Sequence, residues 1–330
     1  MKRSARLLAL LLTLAACGSG DSGATTTTTP EAGPTTQPPS TTTTHATTTT
    51  EGTSAQFPVT IQADNGSVTV EGMPEAIVSL SSTATEMLFA IGAGSQLVAV
   101  DDQSNYPAEA PMTDLSGFTP NVEAILSYEP DLVVIGYDPG ELVASLEAAD
   151  VPVINYSAAM TIDDVYHQIE ALGAVTGHGE DATTVSESIA DDLASIAEEA
   201  PDAEGVTYYH ELDNTLFTAT STTFFGQIYG LFGIENIADA ADEDGSAFGY
   251  PQLSSEYVVA ADPDIIFLAD ALYGESSETI AARPGWDVLS AVQTGNVVEL
   301  DSDIASRWGP RIVDFAQSVS DAIEAYVGQG

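Results

Sequence analysis

The stretch Asn121–Ile135, NVEAILSYEPDLVVI, indicates the fold, because its pattern of residue types occurs twice in the chain. The second copy is Ser254–Leu268, SSEYVVAADPDIIFL, at an offset of 133 residues. Each copy has a residue that favours a helix N-cap, a glutamate in the first turn, a short helix, Pro-Asp and an apolar run typical of a buried strand. The repeat therefore predicts two similar α/β units.

From residue 57 onward, short β-branched runs alternate with longer amphipathic segments, which favours parallel βαβ units. Residues 181–200 contain no glycine or proline and have apolar residues near helical spacing, so we expect one long helix that ends before Pro201. The predicted fold class is α/β, with two lobes joined by a single long α-helix. The expected strands are Ala76–Leu80, Leu97–Val100, Asp131–Ile135, Pro152–Ile154, Thr207–Tyr209, Ile265–Leu268 and Val297–Leu300, and a last helix is expected from about Gly309 to Val327.

The first 17 residues have the pattern of an export signal. A basic start is followed by the apolar run Leu7–Leu14, which is too short to span a bilayer, and then by Leu14-Ala15-Ala16-Cys17. This ending resembles a bacterial lipobox, in which Cys17 receives a lipid and becomes the first mature residue. An ordinary secretory signal with an incidental cysteine is the alternative. Since Cys17 is the only cysteine, no disulfide within the chain is possible.

Residues 18–56 form a linker of low sequence complexity, with fifteen threonines between Thr25 and Thr50 and several prolines. Such a segment has too few apolar groups to fold, so we expect an extended spacer. After removal of the signal, three arginines face 50 acidic residues, a difference of −47. This charge excludes nucleic acid and anionic lipid surfaces as partners.

Several motifs, in this order, resemble the substrate-binding proteins of ABC importers for cobalamin and ferric siderophores. The resemblance implies a ligand cleft between the two lobes, an ABC permease as partner, a monomer, no enzymatic activity and no resident cofactor. The bound ligand would be a corrinoid or a ferric siderophore. The matching motifs are Ile77–Ser81 with Ala84–Glu86, Asn105–Pro107, Asn121–Glu123, Pro130–Val133, Gly233–Ile237, Tyr250–Glu256 and Arg307–Arg311.

Glu123 and Glu256 occupy the same place in the two repeats, and the resemblance implies that they meet arginines of the permease. The alternative is that each only favours its helix N-terminus. The resemblance also places Tyr137 and Tyr250 where a cobalamin-binding relative puts tryptophans against its ligand. The full set of predicted cleft residues is Ser81, Ser82, Tyr106, Phe118, Tyr137, Tyr250, Arg307 and Trp308.

A few other residues have predicted roles that follow from their type and position in the sequence. Thr83 and Glu86 have the spacing of a capping box, which predicts a structural role for both. Arg307 could contact the ligand, and Arg311 could tie the last helix to a neighbouring acid. His210 is the one histidine beside other possible ligands, but three histidines in the folded part are too few for a metal site, so none is predicted.

The predicted organisation has five parts, and the protein is expected at the outer face of the cell membrane, held there by its lipid alone. A heme- or metal-binding member of the same family stays open as an alternative, and so does a surface enzyme or adhesion module of another class. The parts are the signal and lipobox at 1–17, the linker at 18–56, an N-terminal lobe at 57–180, a bridging helix at 181–201 and a C-terminal lobe at 202–330.

Overall fold

The computed structural model describes residues 56–329, so the predicted signal, Cys17 and nearly all of the linker lie outside the described residues. The first elements form an antiparallel hairpin, in which β1 (Val59–Ala63) pairs with β2 (Gly66–Val70). Asn65 in its turn accepts a hydrogen bond from the backbone N–H of Asn155 and donates one to the carbonyl of Val153. The hairpin, which the sequence analysis did not predict, is thereby anchored to the sheet of the N-terminal lobe.

The N-terminal lobe contains a five-stranded parallel sheet in the order β5-β4-β3-β6-β7. All residues of β3 and β6 are buried, as expected for strands covered on both faces. Four helices belong to this lobe, and Asn121 caps α2 by accepting from the N–H of Ala124. The elements are β3 (Ile77–Leu80), α1 (Ser82–Ala90), β4 (Leu97–Asp101), β5 (Met112–Leu115), α2 (Val122–Leu126), β6 (Leu132–Ile135), α3 (Leu142–Glu147), β7 (Val153–Asn155) and α4 (Ile162–Thr176).

The long helix α5 (Gly179–Glu199) has 21 residues and connects the two sheets. Its buried residues, Ala182, Ser186, Ile189 and Leu193, recur at helical spacing and face α4 and α10 (Ile312–Val327). Acidic residues in its first turn stabilise the helix by interacting with the positive end of the helix dipole. Lobes joined by a packed helix move less than lobes joined by a flexible hinge.

The C-terminal lobe has a four-stranded parallel sheet in the order β11-β10-β8-β9. Its last helix begins at Ile312, three residues after the predicted start. None of the helices within residues 56–329 has the length and apolar character needed to cross a bilayer. The remaining elements are β8 (Thr207–Glu211), α6 (Phe224–Gly230), β9 (Glu235–Asn236), α7 (Ser255–Ala261), β10 (Ile265–Leu268), α8 (Ser277–Ala281), α9 (Ser290–Thr294) and β11 (Val297–Glu299).

The two copies of the repeat have the same local structure. Glu129 and Asp262, each directly before the proline, have positive φ angles of 51° and 47°. The carboxylate of Asp131 then accepts from the backbone N–H groups of Glu75 and Ala76, at 2.8 and 3.1 Å. Asp264 does the same for Thr207, at 2.9 Å. The Pro-Asp pair therefore fixes the start of one strand against its neighbour in both lobes.

The largest hydrophobic core runs through both lobes rather than stopping between them. It includes Ile77 and Leu88 of the N-terminal lobe, Leu193 of α5, and Phe267 and Phe315 of the C-terminal lobe. Two smaller cores cover the outer faces of the sheets. Burial of apolar surface thus couples the lobes. Two parallel sheets connected through α5 confirm the predicted two-lobed α/β fold.

Candidate functional site

The carboxyl ends of β3, β5 and β6 bring Ser81, Phe118 and Tyr137 to one edge of the N-terminal sheet. Glycines precede both aromatic residues because the loops pack closely there. A Cβ atom on Gly117 would lie 2.7 Å from the carbonyl oxygen of Leu80, and one on Gly136 would lie 3.1 Å from Oγ of Ser81. The side chains of Phe118 and Tyr137 are 71% and 57% exposed. Two large aromatic surfaces therefore face solvent at the edge where open α/β sheets bind ligands.

A cavity of about 420 Å³ opens beside Phe118. Its wall continues through Pro120 and Val122 to the loop that follows Tyr137, at Pro139–Leu142. The exposed ring of Phe118 thus borders a shallow, open depression formed by residues of the N-terminal lobe. Contact of Phe118 with a ligand stays a prediction.

Ser81 is the N-cap of α1, because its Oγ accepts a hydrogen bond of 3.2 Å from the N–H of Ala84. Ser82 is the first helical residue and is half-buried. The predicted capping box of Thr83 and Glu86 is wrong, since the helix begins before Thr83 and Glu86 binds arginines instead. The hydroxyl of Ser81 is thus already occupied on one side by its helix.

A buried chain of polar side chains supports this edge from below. The hydroxyl of Ser104 donates to Oδ1 of Asp101 at 2.6 Å and also lies within hydrogen-bonding distance of the Thr85 hydroxyl. The hydroxyl of Thr85 in turn donates to Oγ of Ser79 at 2.9 Å. Burial raises the pKa of the Asp101 carboxyl. Because each hydroxyl has a partner, the network holds the strand ends in one arrangement.

Glu86 lies at the centre of an ion-pair cluster between the lobes. Its side chain is only 2% exposed and accepts from Arg307 at 2.8 Å and from Arg311 at 2.6 and 2.9 Å. Arg307, which is 7% exposed, also donates to Asp303, Asn105 and the carbonyl of Gln103. The terminal nitrogens of Arg307 are therefore engaged within the protein, which removes the donors that its predicted ligand contact would need.

Tyr106 contacts this cluster, and Trp308 follows Arg307 directly in the chain. The guanidinium of Arg311 sits 4.3 Å from the centre of the Tyr106 ring, whose side chain is 47% exposed. This contact is a cation–π interaction. Trp308 is half-buried and packs against the large core. The structure therefore places Tyr106, Arg307 and Trp308 together, with Tyr106 the most open of the three.

On the C-terminal lobe, Tyr250 is half-buried, and burial raises its pKa. The sequence analysis missed several exposed apolar residues of this lobe. Leu272 and Tyr273, 71% and 84% exposed, lie four and five residues after the carboxyl end of β10. The repeat aligns Tyr137 with Asp270, so the available signal was only their place in the loop after a predicted strand. The missed residues include Phe217, Phe248, Leu272 and Tyr273.

Buried acids lie at the carboxyl ends of β8 and β10. Glu211 is fully buried and binds both terminal nitrogens of Arg283 at 2.6 Å, and Arg283 also binds Glu275 at 2.7 Å. Asp270 is 3% exposed, and its Oδ1 has no protein partner. Burial, with help from the charge of Glu211, raises the pKa of Asp270 to about 6. Arg283 is therefore committed to acids of its own lobe.

His210 is enclosed in the core of the C-terminal lobe. Its Nδ1 lies 2.8 Å from the hydroxyl of Tyr229, and its ring stacks on Phe225. Complete burial lowers its pKa to about 4, so the ring is neutral at pH 7. No group of three or more possible metal ligands occurs within residues 56–329. His210 thus has a packing role in this fold.

Glu123 and Glu256 are exposed in the first turns of α2 and α7. Each follows a capping residue, and Ser254 caps α7 through the N–H of Tyr257. Within the described part of the chain, neither glutamate forms an ion pair. Contact of these two carboxylates with a permease stays a prediction.

Comparisons with known proteins agree with this geometry. Residues 77–304 match the family described as periplasmic binding protein. The cobalamin-binding protein of Halobacterium salinarum is 32% identical over 281 residues, which cover 82% of this chain and 75% of that one. An uncharacterised ABC transporter substrate-binding lipoprotein of Bacillus subtilis is 29% identical over 278 residues, covering 81% and 86%.

Solved structures confirm the architecture. The periplasmic vitamin B12-binding protein of Vibrio cholerae aligns with a TM-score of 0.61 and 29% identity, covering 78% of this chain and 99% of that one. A Fe³⁺-hydroxamate transport protein of Saccharomonospora viridis aligns at 0.64 with 21% identity, which supports the fold alone. The relatives from Halobacterium salinarum, Bacillus subtilis and Vibrio cholerae are all named as binding proteins. The family match, the relatives and the two-lobed fold show that this chain belongs to the periplasmic binding protein family.

Proposed function

We propose that this protein is an extracytoplasmic substrate-binding lipoprotein of an ABC importer and that it captures a corrinoid between its lobes. The relatives from Halobacterium salinarum and Vibrio cholerae are named for binding cobalamin or vitamin B12. A ferric siderophore of neutral hydroxamate type is the second candidate. Both ligands are large and metal-containing, and both lack a strong negative charge.

The observation that carries this choice is the state of the arginines. The folded part contains three arginines and no lysine, and all three bind acidic side chains. Arg307 and Arg311 share Glu86, and Arg283 is held by Glu211 and Glu275. A ligand with carboxylates or catecholates would enter a strongly negative protein without a free guanidinium to meet it. The charge therefore favours a neutral ligand over heme or an anionic siderophore.

Exposed aromatic and aliphatic side chains at the strand ends suit a large ligand with flat apolar surfaces, such as a corrinoid. Phe118 and Tyr137 on one lobe, and Leu272 and Tyr273 on the other, follow the carboxyl ends of their sheets. Flat apolar side chains contribute large contact areas with little loss of conformational entropy. Hydroxyl groups of Tyr106 and Tyr137 could then accept or donate hydrogen bonds to ligand amides.

Delivery to the permease is assigned to Glu123 and Glu256. Two exposed carboxylates, one on each lobe, suit planar two-point pairing with arginines of a membrane partner. Cys17 would carry the lipid, and residues 18–56 would let the domain reach the permease while it stays tethered. The Bacillus subtilis relative is named as a lipoprotein, which supports this assignment.

A ligand panel tests the proposal on the full chain carrying Cys17→Ser, which avoids lipid and oxidation. Isothermal titration would compare cyanocobalamin, a neutral ferric trihydroxamate, an anionic ferric catecholate and hemin. We expect one-to-one binding of cyanocobalamin and much weaker binding of hemin and the catecholate. Tighter binding of hemin than of cyanocobalamin would overturn the corrinoid proposal, and preference for the trihydroxamate would select the second candidate.

A further inference from the structure

A buried carboxylate of one lobe is neutralised by two arginines of the other. Glu86 belongs to α1 of the N-terminal lobe, whereas Arg307 and Arg311 precede α10 at the end of the C-terminal lobe. The contacts join residues 221 and 225 positions apart in the chain. Glu86 Oε1 and Oε2 both accept, and the three bonds measure 2.6 to 2.9 Å. Each lobe alone would lack half of this cluster.

The burial of these charges makes the cluster sensitive to lobe position. The side chains of Glu86, Arg307 and Arg311 are 2%, 7% and 16% exposed. A buried carboxylate that loses its partners while it stays buried is strongly destabilised, because neither water nor another charge compensates it. A small displacement of the lobes at this point would break the three bonds before water could replace them. The cluster favours one relative position of the lobes.

The same cluster reaches the predicted ligand cleft. Arg311 holds the Tyr106 ring by the cation–π contact, while Arg307 donates to Oδ1 of Asn105 at 2.9 Å. The amide of Asn105 in turn donates to Asp303 at 2.8 Å. The loop that carries Asn105 and Tyr106 is thus fixed by residues from the opposite lobe. A change at Glu86 would be transmitted to an aromatic side chain in the cleft that Glu86 itself does not touch.

We propose that Glu86 is a positioning residue, which holds the two lobes in one register and orients Tyr106 toward the ligand. The second part rests on the proposed function, because it requires that the cleft binds a ligand. The first part does not, because lobe register is a property of the ligand-free protein. The two parts can therefore fail separately.

Lobe register can be measured with spin labels in the full chain carrying Cys17→Ser, which has no other cysteine. Ala144→Cys on α3 and Ala282→Cys after α8 provide one exposed labelling site per lobe. Pulsed electron–electron resonance would compare the distance distribution with and without Glu86→Gln. We expect a broader distribution with Glu86→Gln. Glu275→Gln, which breaks an ion pair within the C-terminal lobe only, is the matched control and should leave the distribution unchanged.

Binding of cyanocobalamin tests the link to Tyr106. If Glu86→Gln lowers the population of the competent register to about a tenth, the measured Kd rises about tenfold. Tyr106→Ala should weaken binding by itself, and Glu86→Gln should have a smaller effect in the Tyr106→Ala background than in the native one. A purely structural role would give additive effects, so additivity would refute the positioning of Tyr106.

The outcomes separate the two proposals. Distance distributions and affinities that are unchanged by Glu86→Gln in a folded protein would overturn the proposed role of Glu86. Loss of folding would be detected by circular dichroism, and Arg311→Lys would then replace the variant, because a lysine keeps the charge but cannot make the same two bonds to Glu86. A broadened distribution together with no binding of cyanocobalamin to the native protein would refute the proposed ligand and leave the lobe register standing.

Discussion

Replacement of Tyr137 by alanine should weaken corrinoid binding substantially. The residue follows β6 at the carboxyl edge of the N-terminal sheet and is 57% exposed in the ligand-free protein. A tyrosine side chain has roughly 200 Å² of surface, so a ligand that covered the exposed part would bury about 110 Å². At about 25 cal/mol per Å², this burial corresponds to about 3 kcal/mol as an upper limit.

The measured loss should be smaller than this limit, because water fills part of the space that the ring leaves and alanine keeps its own contacts. We expect about 1.5 to 2 kcal/mol, which is a rise of about 10- to 30-fold in the Kd of cyanocobalamin. Tyr137→Phe keeps the ring, so its Kd should change by less than about threefold. Isothermal titration of the Cys17→Ser chain measures both variants.

Tyr128→Ala is the matched control, because Tyr128 is also a partly exposed tyrosine but lies beyond the C-terminal end of α2. Its removal should leave the Kd unchanged. Equal losses for Tyr128→Ala and Tyr137→Ala would mean that general destabilisation explains the effect. An unchanged Kd for Tyr137→Ala would refute the location of the cleft at this edge.

Three further predictions concern docking, the repeat and pH. Glu123→Arg and Glu256→Arg should each cut uptake in cells while the Kd of purified protein for cyanocobalamin stays the same, and normal uptake in both would rule out the docking role. Asp264→Ala should lower the free energy of unfolding, measured in urea, by about 1 to 3 kcal/mol, because the backbone N–H of Thr207 loses its acceptor. Asp287→Ala, at an exposed aspartate, should have little effect, and equal losses for the two variants would contradict this account. Burial raises the pKa of Asp270 from 3.8 to about 6, so the folded state binds a proton more tightly there than the unfolded state does. The stability that this proton contributes is therefore lost as pH rises from about 4 to 6. Asp270→Asn should raise the melting temperature relative to the native chain at pH 7.5 but not at pH 4, and a gain that does not depend on pH would disprove this reasoning.

The sequence was sufficient for the repeat and for seven of the eleven strands between residues 56 and 329; β1, β2, β5 and β9 were not predicted. A short, fully apolar run such as Ile265–Leu268 is stable only as a buried strand covered by helices on both faces. Such a strand can therefore be predicted without knowing its partners elsewhere in the chain. Hairpin β1–β2 was missed because its strands are short and half-exposed, and Asn65 fixes it through contacts to β7. Element bounds moved by one to three residues where caps decided them, as at Ser81.

The roles of charged residues were harder to predict, because their partners are distant in the chain. Glu86 has the spacing of a capping acid, and only the folded structure brings Arg307 and Arg311 against it. The same contacts show that Arg307 is buried rather than open to a ligand. The place of Tyr137 after a predicted strand made its exposure at the carboxyl edge predictable, whereas its role in ligand binding stays a prediction. The repeat aligns Tyr137 with Asp270, so the exposure of Tyr273 became visible only in the folded structure.

Hydrogen–deuterium exchange with and without cyanocobalamin tests the central claim most directly, because it locates a bound ligand on both lobes at once. We predict slower exchange in the loops after β5 and β6 of the N-terminal lobe and after β10 of the C-terminal lobe, near Phe118, Tyr137 and Tyr273. Helix α9 should be unaffected, since it lies away from these strand ends in sequence and packs against α8. Protection confined to one lobe, or no protection at saturating cyanocobalamin, would contradict capture of a corrinoid between the lobes.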